Sequence, residues 1–143
     1  MFSLSDEPIR GDDVRKCLAN QEAGALVTFE GWVRDKNDGR SVKSLEYEAF
    51  KPLAEKEGGR ILAEARDNFS ILTAACVHRT GSLALGDLAV MVAVTARHRD
   101  AAFGACRYII DEVKKRVPIW KKEHFAEGDS GWVNAGTDHG AKL

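Results

Sequence analysis

The apolar positions of this chain recur with two spacings, and each change of spacing marks a change of element. Residues 12 to 20, DDVRKCLAN, predict a short helix with an aspartate as N-cap, and Gly24 closes the segment. ALVTFEGWV, 25 to 33, is dense in β-branched and aromatic residues, and VKSLEYEAF, 42 to 50, alternates Leu45, Tyr47 and Ala49 against Glu46 and Glu48. Both predict strands, paired with one another, because a half-buried strand repeats every second residue. The polar stretch between them, RDKNDGRS, carries an Asp-Gly turn signal and predicts an exposed, mobile hairpin loop that begins at Arg34. Pro52 suits a first helical turn, and Leu53, Ala54, Ile61, Leu62, Ala65 and Phe69 then keep helical spacing, so a helix is predicted to about residue 68 across Gly58 and Gly59. ILTAACVHR, 71 to 79, and LAVMVAVTARHR, 88 to 99, predict strands, the second apolar enough for a sheet interior. Asp100 is placed to cap a helix over AAFGACRYIIDEVKKRV, which must stop near Val117 because Pro118 clashes with a helical residue before it. The order is helix, two strands, helix, strands, helix and short extended pieces. It predicts an α+β fold with a mainly antiparallel sheet and two long helices, not a regular βαβ chain.

Composition narrows the function. The 143 residues are 44% hydrophobic and 30% charged and carry neither repeat nor linker, which predicts one domain over 1–143. A formal charge of -1 excludes a general nucleic-acid binder, so any anion site must be local. The N-terminus MFSLSDEPIR lacks the basic and apolar regions of a signal peptide, and no apolar run approaches the roughly 18 residues of a membrane span, so the expected location is cytoplasmic. Cys17, Cys76 and Cys106 are odd in number, far apart and set among apolar residues, which predicts buried free thiols and no metal site.

Local positive charge gathers in DEVKKRVPIWKKEHF, 111 to 125. At about 100° per residue, Ala102, Phe103, Cys106, Ile109, Ile110, Val113 and Val117 fall on one buried arc of about 120°. Lys114 lies about 80° from Cys106, at the border of that arc, while Lys115 lies about 180° away and is solvated. A border lysine can lay its stem on apolar surface and hold its ammonium at the rim of a cavity. After Pro118 the chain is extended, so Lys121 and Lys122 point to opposite sides, and periodicity does not say which faces the cavity. His98 and Arg99 precede a helix start, where free N–H groups and the helix dipole favour an anion such as phosphate. Lysine, arginine and histidine together describe an anion-handling site. The plain alternative is solvated border lysines and a His-Arg pair bound to a nearby carboxylate.

FEGWVRDKN, LEYEAF, VHRTGSLALGD, VAVTARHRDAAF, KKRVPIWKKE and EGDSGWV occur in the order and near the spacing found in the catalytic large subunit of molybdopterin synthase, which the chain resembles over residues 23 to 134. RHRDAAF followed by VKKRVPIWKKE is the most specific block. Trp32 stands where a smaller or basic residue is common, Leu53 where methionine is, and EGDSGW is one residue longer than in some relatives. The resemblance implies a β-hammerhead α+β fold and a sulfur-transfer enzyme that builds the dithiolene of molybdopterin on cyclic pyranopterin monophosphate. The sulfur would come from a small ubiquitin-like partner whose C-terminal Gly-Gly carries a thiocarboxylate, two such pairs assembling around a large-subunit dimer as a heterotetramer. Neither metal nor cofactor is implied. Carried over by position, the catalytic lysines are Lys114 and Lys121, and substrate-binding falls to Trp32, Val33, Arg34, His98, Arg99, Lys114, Lys121, Lys122 and Glu123.

Two other classes fit the basic cluster. A Schiff-base lyase would be trapped on Lys114 by borohydride with a small carbonyl substrate, and a non-catalytic anion-binding module would bind a pterin phosphate without forming product. The helical arc generates the first prediction: Lys114→Ala nearly abolishes turnover, whereas Lys115→Ala leaves it almost unchanged. Equal losses at the two positions, measured as product per enzyme under identical conditions, would refute the placement of Lys114.

Overall fold

The computed structural model describes residues 1–129 and 131–136, so Ser130 of the EGDSGWV motif and positions 137–143 of the predicted domain lie outside the described residues. In chain order the elements are β1 (Phe2–Ser5), α1 (Gly11–Cys17), β2 (Ala25–Trp32), β3 (Lys36–Asn37), β4 (Arg40–Ala49), α2 (Lys51–Asn68), β5 (Thr73–Arg79), β6 (Gly81–Ala84), β7 (Leu88–Ala96), α3 (Arg99–Arg116), β8 (Ile119–Phe125), β9 (Gly128–Asp129) and β10 (Val133–Asn134). The fold is α+β, with two sheets. One runs β1-β5-β7-β2 and the other β10-β8-β4-β3, with β6 beside β4 and β9 beside β8. Only β1 against β5 is parallel among the described pairs.

The continuous apolar run of β7 lies inside the first sheet, as an interior strand must to bury both faces. On one face Val90, Val92 and Val94 meet Ile61 and Leu62 of α2 and Ile109 and Val113 of α3, while on the other Ala93 and Ala75 meet Val14 and Leu18 around α1. A separate cluster of Val33, Val42, Leu45, Leu83, Ala89 and Phe125 fills the second sheet's inner side. Phe2 of β1 sits flat on α2 at Gly58, where a Cβ would fall 2.2 Å from the ring. That contact explains a helix-weakening glycine in mid-helix.

Several expectations are corrected. β2 and β4 do not pair: β2 joins β7, and β4 joins β8, β6 and β3. Alternation identifies a half-buried strand but not its neighbour. The hairpin is β3–β4, turned at Asp38 (φ 55°) and Gly39 (φ 74°), both in the left-handed conformation that two-residue hairpin turns favour. Its loop is anchored, because the Arg40 guanidinium lies 3.7 Å from the Phe125 ring centroid and Asn37 is buried. α1 ends at Cys17, and its N-cap is Arg10 without a side-chain cap; Asp12 and Asp13 sit in the first turn, where they face the helix dipole. Likewise His98, not Asp100, is the N-cap of α3. Cys17 is exposed, whereas Cys76 and Cys106 are buried. Phe103 is 60% exposed and Ala105 takes its place on the buried face, since the arc's border overhangs a cavity instead of the sheet.

The two long helices are locked together by charge as well as by packing. Arg116 donates to Glu64 at 2.6 and 2.9 Å and to Glu57 at 2.8 Å, and the Tyr108 hydroxyl donates to Glu64 at 2.6 Å. The Arg116 guanidinium, seconded by Tyr108, holds the Glu64 carboxyl down at about 2. A carboxyl whose folded pKa is depressed contributes stability above its ordinary pKa of 4.5, and that contribution disappears as pH falls toward 2. Denaturant melts should therefore show stability dropping across that window, and Glu64→Gln should flatten this part of the profile. An unchanged slope in the variant would show that the cluster does not contribute.

Candidate functional site

The cavity arises where the chain crosses between sheets. It passes from β2 to β3 through Val33–Asp35 and from α3 to β8 through Val117–Pro118. Between the two apolar clusters these crossings leave a cleft of about 880 Å³, walled by Phe29, Trp32, Tyr47, Phe103 and Ile110 and carrying Arg34, Lys114, Lys121, Asn37 and Glu123.

β8 shows how the sequence builds this wall. Ile119 is buried in the main core and Phe125 in the second cluster, so the same face must carry Lys121 and Glu123 across the gap between them. In register, Lys121 lies opposite Tyr47 and Glu123 opposite Leu45. Lys122 is on the other face, beside Glu46, with Trp120 and His124. The cavity-facing lysine of the pair is thus Lys121. Parity with Ile119 and Phe125 was the available signal, once the buried side was known.

Lys114 stands on the last turn of α3 at the cavity rim, as its position on the arc predicts, and Lys115 turns to solvent and pairs with Glu112 at 3.2 Å. Arg34 and Trp32 are exposed cavity residues, and the Trp32 indole donates to Glu30 at 3.0 Å. Val33 is buried; its N–H donates to Asp87 and its carbonyl accepts from Gly86, which pins the strand exit that delivers Arg34. His98 and Arg99 do not join these residues. They begin α3, and the 15 residues to Lys114 span about 22 Å of helix.

Four residues that sequence reading passed over complete the site. Asn37 is 4% exposed and donates to Glu123 at 2.7 Å. Cys106 lies in the wall with its thiol pushed up to about 11 by burial. Behind Lys114 a smaller recess of about 80 Å³ is lined by Tyr47 and His78, whose rings meet edge to face at 5.0 Å. Burial raises Tyr47 to about 12, with the Glu123 charge adding to the effect. Burial lowers His78 to about 4, and the Lys114 charge lowers it further against the opposing bond to the Arg79 carbonyl. That carbonyl can only accept, so the 2.8 Å contact puts the proton of the neutral imidazole on Nδ1. Both groups are uncharged near neutrality, so the cations lining the cleft are Lys114, Lys121, Arg34 and, paired with Asp111, Arg107.

An α+β scaffold with a cationic cleft at the junction of two sheets is the class of protein defined here. Residues 4–116 match the family model described as MoaE protein, and the chain belongs to that family. It is 42% identical over 129 residues to the molybdopterin synthase catalytic subunit of Thermoplasma volcanium, covering 90% of this chain and 94% of that protein. The crystal structure of molybdopterin synthase from Staphylococcus aureus superposes with a TM-score of 0.86 at 38% identity, covering 91% of this chain and 94% of that one. A Helicobacter pylori complex of subunits 1 and 2 of molybdopterin-converting factor shares the fold, with a TM-score of 0.74 at 17% identity over 96% of this chain and 92% of that one.

His78 generates a prediction. A histidine whose folded pKa lies below the ordinary 6.5 leaves the unfolded chain with more bound protons, so stability falls as pH drops from about 6.5 to about 4. His78→Gln should remove that part of the slope in denaturant titrations. A slope that survives the substitution would show that His78 is not the group responsible.

Proposed function

We propose that the chain transfers sulfur from the C-terminal thiocarboxylate of a small ubiquitin-like subunit to cyclic pyranopterin monophosphate, forming the dithiolene of molybdopterin in molybdenum cofactor biosynthesis. The observation that carries this reading is the meeting of Lys114, Lys121 and Arg34, from three separate elements, in one cleft with apolar walls. The thiocarboxylate tail and the substrate phosphate are both anions, and fixed cations allow them to approach without mutual repulsion.

In this mechanism Arg34, with the exit strand of Trp32 and Val33, holds the phosphate side. Lys114 polarises the reacting centre or transfers a proton as the thiocarboxylate sulfur attacks a side-chain carbon of the pterin. A carbon–sulfur bond forms and a side-chain oxygen is displaced. Lys121 orients the tail carbonyl of the resulting thioester and stabilises the charge that develops as water cleaves it, leaving a carboxylate on the partner and a thiol on the pterin. No electrons are gained or lost. Two sulfurs need two charged tails, so a half-sulfurated intermediate stays bound between them. Glu123 and Lys122 belong to the strand that carries Lys121. His98 and Arg99, a helix length away, serve the reading only as part of a neighbouring copy's cleft in a homodimer, within a heterotetramer of two large and two small subunits. A cytoplasmic location accords with a chain in which no described helix is long and apolar enough to cross a membrane.

An extended Gly-Gly tail offers little but backbone and terminal charge for recognition, so affinity comes largely from a wider docking surface while the absence of Cβ atoms allows entry. Adding one residue to the partner's C-terminus should preserve docking, measured by calorimetry, but stop single-turnover product formation. Normal product formation by the extended partner would overturn the mechanism. Borohydride trapping on Lys114 would favour a Schiff-base lyase, and pterin binding without product from a thiocarboxylated partner would favour a binding module.

A further inference from the structure

We infer that Asn37 binds the substrate directly: its side-chain oxygen accepts a hydrogen bond from an N–H of the pterin ring system, and with Glu123 it forms the acceptor end of the cleft that sets which way round the substrate lies. The inference rests on the proposed function and adds to it a residue and the substrate feature that residue reads.

The orientation of the amide follows from its partner. Asn37 Nδ2 lies 2.7 Å from Glu123 Oε1, and a carboxylate oxygen accepts, so the atom facing it is the NH₂ group. The other atom, Oδ1, is shut off from solvent and has no hydrogen-bond partner among the described residues. Asn37 nonetheless lines the cleft, at 4% exposure. An amide oxygen in that state is destabilising, and a swing of the Asn37 side chain that turns Oδ1 into the cleft lets a ligand N–H satisfy it. The position is not an accident of a loose loop. The Asp38–Gly39 turn, the Arg40 stack on Phe125, and the bond from the Val42 N–H to the Asp35 carbonyl at 2.8 Å hold the hairpin independently of the Asn37 side chain.

The chemistry of the cleft says which part of the substrate supplies the donor. A phosphate and a thiocarboxylate accept hydrogen bonds and belong with Arg34, Lys114 and Lys121. The fused ring system carries N–H groups and belongs with acceptors. Lys121 and Glu123 are two residues apart on one face of β8, a separation of about 7 Å along the strand, comparable to a fused bicyclic ring. A cation at one end and a carboxylate plus an amide oxygen at the other therefore match a ligand with an anionic tail and a donor-rich ring.

The test compares dissociation constants for cyclic pyranopterin monophosphate, a reduced pterin lacking phosphate, and inorganic phosphate. Asn37→Ala should weaken the first two by about 10- to 100-fold and leave inorganic phosphate and the partner subunit within twofold. In Asn37→Asp/Glu123→Gln the pair is reversed, with Gln donating to Asp, so an acceptor remains at 37 and pterin binding should return to within about fivefold of the unmodified protein. A measurement on the unmodified protein is independent of variant folding: the Asn37 side-chain carbonyl carbon resonance should shift on adding the phosphate-free pterin and stay in place with inorganic phosphate. Pterin affinity within twofold in Asn37→Ala, an equal loss of pterin and phosphate, or an unmoved resonance would each overturn the inference and point to a buried water on Oδ1 or to a purely structural role. If the unmodified protein forms product while Asn37→Ala binds pterin normally, only the inference fails. If the unmodified protein neither binds nor converts the substrate, the proposed function fails with it.

Discussion

The clash between the Pro118 ring and a helical residue before it is the constraint on which the site depends. Val117 is driven to an extended conformation (φ -79°, ψ 128°), α3 must end, and β8 begins two residues later in the other sheet. Without that break Lys114 and Lys121 would lie on one helix, seven residues and about 20° apart in azimuth, with no second sheet between them. With it, one lysine stands on the end of a helix packed against the first sheet and the other on a strand of the second. The seam between the sheets becomes the cleft.

Two apolar clusters that do not merge explain why a cleft exists at that seam. Ile119 belongs to one and Phe125 to the other, and the residues between them on the same face are charged. Glu123 is buried with Asn37 donating to it, and Lys121 is half-buried at the cleft, so the cost of desolvating these charged groups keeps the two clusters from closing over them. Walls of Phe29, Tyr47 and Ile110 lower the local dielectric, which strengthens the pull of the cationic groups on an anionic reactant.

The neighbouring titratable groups sharpen this polarity. His78 and Tyr47, buried behind Lys114, are held neutral by desolvation, so neither adds charge near neutral pH. The negative end is confined to Glu123, tied to Asn37, while Arg107 and Asp111 at the mouth offset one another at 3.0 Å. The pairing that confines this carboxylate is a property of the assembled sheets, since Asn37 and Glu123 are 86 positions apart in the chain.

Much of the local structure was legible from the order of residues. The helix over 51–68, the interior strand beginning at Leu88, the stop before Pro118, and the opposite headings of Lys114 and Lys115 follow from period, proline sterics and helix angle, which are short-range. The family resemblance likewise singled out Lys121, which β8 turns into the cleft. What short-range physics could not decide was partnership. Alternation marked 25–33 and 42–50 as half-buried strands, yet they went to different sheets, because register and neighbour are chosen by distant surfaces. A polar Asp-Gly segment read as a free loop, yet Asn37 within it is buried against Glu123, since only the return of β8 beside β4 brings that carboxylate into reach. Sequence by itself determined the course of the two long helices and the interior strands and which groups carry charge; the tertiary structure alone decided which of those charges face one another, because hydrogen bonds and Coulomb forces act across space and not along the chain.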